Sequence, residues 1–398
     1  MADTRSLNPE SCLAAPPSLP LHVDVLIVGG GPVGALLAQK LAASHLKTLL
    51  LEARTEVADD ARALALSWHS VAALKEAGLW DDAIMATTIA RVRVSQQGSL
   101  GRTELDAKEI DLPALGRVVR YDALTRAAQA RLTPGVAEFG VRVSAVRQLD
   151  GYAVAELDTP GGAQTMTARL VVLADGGSLI GQIKDVRQRV KPYQQHAILA
   201  TLTPNEPHHQ IAYERFADDG PLALLPNGRD FTLVWTQSPA QAQARLALSD
   251  ADFIAAIEAR LAGMTFAALG SRTHYPLALK TLDSVVGRRV ALIGNAAQTL
   301  HPVAGQGLNL GLRDAATLAA LLLQTPAWAV GSAAMLARYA ALRRRDAGAV
   351  TFFTDSLIAL FERPEPIFKH ARSLGLLALD LAAPARRAFA RAMVAGWR

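Results

Sequence analysis

A β-branched run that ends in glycines constrains the fold of this chain more than any other feature. The run VDVLIVGG, which begins at Val23, is typical of a buried parallel strand. The segment PVGALLAQKLAAS follows with Ala and Leu at helical spacing, and KTLLLEAR then has the pattern of a second strand. Strand, glycine turn, helix and strand within about 30 residues predict one βαβ unit.

The glycine turn fits the pattern G-x-G-x-x-G through Gly29, Gly31 and Gly34. The first glycine permits the tight turn, the second lets a pyrophosphate approach the backbone, and the third lets helix and strand pack closely. Glu52 ends the next strand, where a carboxylate accepts both ribose hydroxyls and repels a 2′-phosphate. The pattern therefore predicts a site for FAD or NAD, with a solvated strand-end charge as the alternative for Glu52.

Two more buried strands end in glycine-containing turns. The run ARLVVL is followed by Ala174-Asp175-Gly176-Gly177, in which an Asp is commonly a plain turn residue. The run RVALIGNA is followed by a glycine-rich loop and a helix from about Leu308. Such a loop directs backbone N–H groups and the positive end of the helix dipole at an electron-rich group. A reduced flavin is such a group, because it carries negative charge near its N1 atom. We therefore expect this loop to face a flavin ring.

Composition excludes several functional classes. The net charge is +5, and no Lys/Arg cluster interleaves with aromatic residues, which argues against nucleic-acid binding. The single cysteine, Cys12, permits no intrachain disulfide, and no histidine spacing is typical of a metal site. Residues 1–21 lack the apolar run of a signal peptide, and no stretch of about 18 apolar residues follows. We expect a disordered leader and a cytoplasmic protein that is soluble or peripheral on the inner face of the cytoplasmic membrane.

The patterns along the chain predict an α/β protein with a Rossmann-like cofactor domain and an inserted antiparallel, sheet-rich substrate domain. The predicted parts are the cofactor domain (22–90, 116–182 and 277–360), the substrate domain (91–115 and 183–276) and a C-terminal helical segment (361–398).

The order of the three glycine motifs resembles that of the class A flavin-dependent aromatic hydroxylases, of which para-hydroxybenzoate hydroxylase is the type. The resemblance covers about residues 22–360. The passages ALALSWHSVAALKEAGLW, ERFADDGPLALLP and YPLAL resemble the ubiquinone-biosynthesis hydroxylases within that class. In GNAAQTLHPVAGQGLN, Asn295 and Gln298 stand where most members have Asp and His. That version resembles the 2-polyprenyl-6-methoxyphenol hydroxylase branch.

The resemblance implies that FAD is held by residues from all three motifs. Asp175 would serve both FAD and a nicotinamide cofactor, although Ser178 comes one residue earlier than in the family pattern. Two arginines would approach the flavin phosphates and the ribityl chain, with a surface role as the alternative. The implied cofactor-binding residues are Gly29, Gly31, Gly34 and Glu52 for the AMP half, Arg62, Arg120 and Asn295 for the phosphate and ribityl region, and Pro302, Gly305 and Gly307 for the ring.

The resemblance also implies the chemistry of an FAD-dependent monooxygenase. Flavin reduced by NAD(P)H, or by another donor, reacts with dioxygen to give a C4a-hydroperoxide, which an electron-rich phenol attacks. Because the cofactor carries the difficult step, we expect no protein nucleophile, no other catalytic residue and no metal. His301 is then a structural loop residue rather than a general base.

A prenylated phenol would need an apolar route to the flavin. Candidates for that route are Phe216, Leu224, Phe231 and Trp235, with ordinary core packing as the alternative. The C-terminal stretch mixes Leu, Phe and Trp with Arg, which is typical of an interfacial helix, and a helix that caps the cofactor domain fits equally well. The functional alternatives are hydroxylation at another ring position, an FAD-dependent prenyl reductase, and a mainly structural subunit of a membrane-associated ubiquinone-biosynthesis complex.

Overall fold

The structure is a computed structural model that describes residues 19–98, 101–217, 219–261, 263–299, 305–361 and 366–396. For residues 345, 347, 350–361 and 366–369 it describes the backbone alone. Most of the predicted leader, together with Cys12, His301 and Pro302, therefore lies outside the described residues.

The described strands group into three sheets. They are β1 (His22–Val28), β2 (Thr48–Glu52), β3 (Ala63–Ser67), β4 (Thr87–Ile89), β5 (Arg91–Gln96), β6 (Arg102–Asp106), β7 (Gly116–Arg120), β8 (Ala137–Phe139), β9 (Arg142–Gln148), β10 (Ala153–Thr159), β11 (Gly162–Leu173), β12 (Gln188–Pro204), β13 (Ile211–Phe216), β14 (Leu222–Asn227), β15 (Asp230–Gln237), β16 (Phe266–Leu282), β17 (Val286–Gly287) and β18 (Val290–Leu292).

The described α-helices lie between and after these strands. They are α1 (Pro32–Leu41), α2 (Trp68–Glu76), α3 (Tyr121–Ala130), α4 (Pro239–Leu246), α5 (Asp250–Glu258), α6 (Gln306–Leu323), α7 (Ala333–Phe361), α8 (Pro366–Leu381) and α9 (Ala383–Ala395).

The first sheet has the predicted βαβ unit at its centre. Parallel strands lie in the order β18, β11, β1, β2 and β8, and β9 and β10 extend the sheet as an antiparallel hairpin beside β11. Six of the seven residues of β1 are buried because both faces of the strand are covered. Val25 and Ile27 pack toward α1 and α6, whereas Leu26 and Val28 pack toward β9 and β10.

The second sheet has seven strands in the order β16, β12, β15, β14, β13, β5 and β6. Its pairings are antiparallel, except that β13 and β5 are parallel. A parallel pair needs a long crossover, and here more than a hundred residues of chain separate the two strands. The boundary predicted at residue 276 falls inside β16, which continues to Leu282. The domain limits otherwise stay a prediction.

A small third sheet packs beside the second sheet, and the C-terminal helix α9 contacts both. The third sheet has the order β3, β7 and β4. Ala390 and Val394 of α9 are buried against apolar residues of this sheet and of β6. Arg386 of α9 also forms an ion pair with Glu109, with 2.7 Å between Nη2 and Oε1. The C-terminal segment therefore packs where the second and third sheets meet. None of the helices in the described ranges is long and apolar enough to cross a membrane.

A buried ion pair joins α6 to α7 directly behind the turn that follows β18. Arg343 Nη2 lies 2.5 Å from Asp314 Oδ1, and both side chains are almost fully buried. The other carboxylate oxygen accepts the backbone N–H of Gly294 at 3.0 Å. Burial raises the pKa of Asp314, and the charge of Arg343 opposes that rise. The pair therefore fixes α6 relative to the turn that begins at Gly294.

We expect Asp314→Asn to lower the free energy of unfolding by about 3 kcal/mol, because it removes the nearer counter-charge of the buried Arg343 and leaves only Asp346, at 3.6 Å, as its ion-pair partner among the described residues. Urea unfolding of the purified protein measures this loss. Asp82→Asn is the matched control, since Asp82 forms an exposed pair with Lys75 and should change stability by less than about 1 kcal/mol. Equal stability of Asp314→Asn and the wild type would contradict this role.

Candidate cofactor site and adjoining cavity

The carboxyl ends of four adjacent parallel strands meet at one edge of the first sheet. Backbone bonds continue past the strand ends, since Gly29 N–H donates to Leu51 O at 2.8 Å and Ala174 N–H donates to Val28 O at 2.8 Å. Glu52, Asp175 and Asn295 follow the same edge on β2, β11 and β18. The tertiary structure thus brings the three predicted glycine motifs together at the usual ligand position of an open α/β sheet.

The first glycine turn packs backbone against backbone. Gly29 has φ +108°, and a Cβ on it would lie 2.6 Å from Ala174 O. A Cβ on Gly34 would lie 2.0 Å from Gly29 O. Gly31 precedes α1, and no side chain caps that helix. The N–H groups of the first helical turn are therefore directed at a position where an anion would be stabilised.

Glu52 closes this turn from the neighbouring strand. Its Oε2 accepts Gly30 N–H at 2.7 Å, and its Oε1 accepts Arg54 N–H at 3.0 Å. On the other side, Gln129 Nε2 donates to Gly30 O at 2.8 Å. These bonds orient the turn, and the carboxylate remains partly exposed to solvent. Its bond to a ribose stays a prediction.

The two predicted arginines lie close to the first turn, and each is already paired. Arg62 binds Asp60, with 2.5 Å between Nη2 and Oδ2, and lies over the ring of Tyr121. The hydroxyl of Tyr121 is 3.1 Å from where a Cβ on Gly31 would be. Arg120 binds Asp122 at 2.7 Å, and this hydrogen bond holds the pKa of Asp122 at about 2. Both arginines are half exposed, and their contact with FAD stays a prediction.

Asp175 caps its own turn. Its Oδ1 accepts Gly177 N–H at 3.0 Å, and its Oδ2 accepts Leu179 N–H at 3.0 Å and the hydroxyl of Ser178. The early Ser178 therefore has a structural partner. Both oxygens are used locally, which matches the plain-turn alternative, and a role toward cofactors stays a prediction.

The late glycine loop brings α6 close to the sheet edge. Asn295 is exposed in a short 3-10 helix (Gly294–Ala296). Gly305 has φ +59° and precedes α6. A Cβ on Gly307 would meet no atom within 4 Å. The first turn of α6 thus borders open space.

Asn309 is a further residue of the site. It ends the loop motif, but the motif predicted no role for it. Its Oδ1 accepts Ser67 N–H at 2.8 Å, and its Nδ2 donates to Ala65 O and Gly305 O, both at 2.9 Å. The buried amide therefore holds β3 against the start of α6. The only sequence signal was an asparagine directly after a glycine-rich loop, which does not reveal partners about 240 residues away.

An apolar cavity of about 420 Å³ extends from this loop to the second sheet. Gly305, Gln306 and Asn309 line one end, and α8 and α9 close the side. The described residues of the sheet that line it are Val92, Val94, Thr103, Leu105, Ala212, Tyr213, Glu214, Phe216, Ala223, Leu225 and Val234.

Of the four residues predicted for an apolar route, Phe216 lines this cavity, and its contact with a substrate stays a prediction. Leu224, Phe231 and Trp235 instead belong to the core on the opposite face of the second sheet, packed against α4 and α5. The reason is the two-residue period of a strand, which turns Ala223, Leu225 and Val234 toward the cavity and their neighbours away. The ordinary-core alternative therefore holds for these three residues.

We expect Gly307→Ala to weaken FAD binding at least tenfold without unfolding the protein. The added methyl has free space in the protein itself and favours the helix by up to about 1 kcal/mol, but it would enter the space next to the first turn of α6. Titration of apoprotein with FAD measures affinity, and thermal melting of the apoprotein measures folding. Gly348→Ala in α7, where a Cβ also meets nothing within 4 Å, should leave affinity unchanged. Wild-type affinity in Gly307→Ala would contradict the predicted position of the flavin.

The fold is similar to that of p-nitrophenol 4-monooxygenase PnpA from Pseudomonas putida DLL-E4. The TM-score is 0.77 at 20% sequence identity, and the match covers 95% of this chain and 99% of that chain. This likeness supports the fold, with its cofactor part and its inserted sheet.

Sequence comparison extends the likeness to two curated proteins. The chain is 35% identical over 387 residues to ubiquinone hydroxylase UbiL of Rhodospirillum rubrum, which covers 92% of this chain and 88% of the relative. It is 31% identical over 386 residues to 3-demethoxyubiquinol 3-hydroxylase of Escherichia coli, and this match covers 92% of this chain and 96% of the relative. The family described as "FAD binding domain" matches residues 22–354. The chain therefore belongs to the FAD-binding-domain family and, within it, to the class A flavin hydroxylases of ubiquinone biosynthesis, which are FAD-dependent monooxygenases.

Proposed function

We propose that this FAD-dependent monooxygenase hydroxylates a prenylated phenol in ubiquinone biosynthesis, with 2-polyprenyl-6-methoxyphenol as the first candidate. The observation that carries the proposal is the apolar cavity, because it joins the start of α6 to a sheet face lined largely by aliphatic residues. Such a lining suits an aromatic ring with a hydrocarbon tail better than it suits a polar substrate.

The residues at the sheet edge fit an FAD molecule. The uncapped N-terminus of α1 beside Gly29, Gly31 and Gly34 suits the pyrophosphate, and Glu52 suits the adenosine ribose. Arg62, Arg120 and Asn295 would contact the phosphate and ribityl region, and Asp175 supports the turn beside it. Pro302, Gly305 and Gly307 would line the ring, where the open space beside Gly307 leaves room for it.

When bound and reduced, with NAD(P)H as the usual donor in this family, FAD supplies the electrons and the activated oxygen of dioxygen. The protein's own contribution is placement and exclusion of water. Asn309 holds the start of α6 against β3, so the first turn of this helix stays next to the cavity. The aliphatic lining would orient the ring of the phenol toward that loop and keep bulk water from the oxygen-transfer step.

A second candidate substrate is a later intermediate of the same pathway. The relative from Escherichia coli is named a 3-demethoxyubiquinol 3-hydroxylase, so hydroxylation at that ring position is supported by a specific likeness. Family membership favours a hydroxylase over a prenyl reductase or a purely structural subunit. A complex with other ubiquinone-biosynthesis proteins stays a prediction.

We expect purified, FAD-loaded protein to transfer one atom of heavy dioxygen to a short-chain 2-prenyl-6-methoxyphenol in the presence of NAD(P)H. Mass spectrometry of the product measures the label, and a short-chain 3-demethoxyubiquinol assayed in parallel distinguishes the two ring positions. NAD(P)H oxidation without labelled product from either compound would contradict the proposal. A deletion strain, whose accumulated quinone precursor is identified by mass, tests the same assignment in cells.

We further propose that α8 contacts the surface of an anionic membrane, from which a prenylated substrate would be drawn. Leu374, Leu377 and Leu381 share one side of α8, and they are 64%, 37% and 77% exposed. Arg387 and Arg391 of the adjoining α9 are exposed and would favour acidic headgroups. The opposite side of α8, with Leu376 and Leu379, lines the cavity.

We expect the double variant Leu374→Ser/Leu381→Ser to lose most of its cosedimentation with vesicles of one-third phosphatidylglycerol, because the exposed apolar area is removed. Its oxidation of a water-soluble short-chain phenol should remain at the wild-type rate. Leu323→Ser, at an exposed leucine near the end of α6, is the matched control. If the double variant sediments as the wild type does, α8 is not the contact.

A further inference from the structure

One acidic side chain stands in the otherwise aliphatic row that crosses the sheet face of the cavity. The strand register pairs Glu214 of β13 with Val94 of β5 and with Ala223 of β14, and Ala223 in turn with Val234 of β15. All four residues line the cavity. The carboxyl group therefore faces the same space as the first turn of α6, with apolar side chains on either side of it in the sheet.

Among the described residues, no hydrogen bond or ion pair reaches this carboxyl group, and burial raises the pKa of Glu214 to about 8. Glu104 of β6 provides the contrast on the opposite face of the same sheet. Burial would also raise the pKa of Glu104, but hydrogen bonds from Arg93 and Arg91 outweigh it and lower that pKa. A carboxyl group that faces an apolar cavity without a partner is costly for a fold, so a structural role does not account for Glu214.

We propose that Glu214 is the acid–base residue that accepts the phenolic proton of the substrate. This inference rests on the proposed function and departs from the expectation that no protein residue takes part in the chemistry. A phenol oxygen in the cavity would have few other polar partners, because most of the sheet-side lining is aliphatic. A hydrogen bond to Glu214 would therefore also orient the ring toward the start of α6.

The proton balance of the step is closed. As the activated ring carbon forms its bond to the oxygen atom derived from dioxygen, the phenolic O–H breaks and its proton passes to the Glu214 carboxylate. When that ring carbon loses its hydrogen as a proton, Glu214 returns its own proton to the phenolic oxygen and the ring becomes aromatic again. The second oxygen atom accepts the proton from the ring carbon and one further proton and leaves as water, and NAD(P)H supplies the two electrons through FAD.

Other groups that face the cavity determine how Glu214 titrates. From α8 the charged group is Arg372, and from β13 the further titratable group is Tyr213. The α6 wall contributes the neutral Gln306 and Asn309, and α9 contributes apolar residues such as Met393. Arg372 is therefore the alternative stabiliser of a phenolate, and the test includes it.

The test compares Glu214→Gln, Glu104→Gln and Arg372→Gln with the wild type as FAD-loaded proteins. Reduced enzyme with a prebound short-chain prenylated phenol is mixed with dioxygen, and the hydroxylation rate is followed in a single turnover from pH 6 to 9. We expect the wild-type rate to rise with pH toward about 8, because the carboxylate must be ionised to accept a proton. Glu214→Gln should be slowed on the order of 100-fold and lose that rise, whereas Glu104→Gln should keep both the rate and the rise.

Two further measurements separate catalysis from folding. A fluorinated phenol with a more acidic hydroxyl should reduce the defect of Glu214→Gln, because less help is needed to remove its proton. Glu214→Gln should also melt at a higher temperature than the wild type at pH 8, and this gap should narrow at pH 5. The sign follows because the raised pKa disfavours the folded wild type increasingly as the pH rises from about 4.5 to about 8.

A wild-type rate and pH profile in Glu214→Gln would overturn this role, whatever its melting temperature. Loss of the pH rise in Arg372→Gln but not in Glu214→Gln would assign phenolate stabilisation to Arg372 instead. If the wild type itself forms no labelled product, the proposed function fails and this role fails with it. Labelled product from the wild type with an unaffected Glu214→Gln overturns the acid–base role alone.

Discussion

The close backbone contact at the first glycine turn is the constraint on which the rest of the site depends. No side chain fits at Gly29 or Gly34, because a Cβ at either position would lie within 2.6 Å of a carbonyl oxygen. This contact lets α1 begin directly against the ends of β1 and β11. It therefore directs uncapped N–H groups at the sheet edge, where Glu52, Asp175 and Gly294 converge on neighbouring strands.

Buried polar side chains hold α6 in place where glycines let its backbone approach the sheet edge closely. Asp314 and Arg343 form a buried pair behind Gly294, and Asn309 bonds the start of α6 to β3. Each of these buried side chains has at least one partner on another element of the chain, which makes a polar group less costly in a core. They fix the start of α6 between the sheet edge and the cavity.

The cavity itself combines three elements that are remote in sequence. The start of α6, one face of the second sheet and the inner sides of α8 and α9 enclose it. In the proposed function, its apolar lining would bind a hydrophobic ring, and Glu214, the single acidic residue in the row across the sheet face, would accept the proton of that ring's hydroxyl group. The outer side of α8, which carries exposed leucines, is the surface that we propose to contact lipid.

The sequence by itself determined the βαβ unit and the order of the three glycine motifs, because these features are local patterns with a fixed spacing. The FAD-dependent monooxygenase family followed from the resemblance that these motifs carry. It did not determine which apolar residues line the cavity, since Leu224, Phe231 and Trp235 differ from Leu225 and Val234 only in the face of the strand that they occupy. The partners of Asn309, and the lack of any for Glu214 within the described ranges, depended on the tertiary structure alone. Hydrogen bonding and burial of a side chain are decided by residues brought close in space, and for these two positions the neighbours come from other strands and helices.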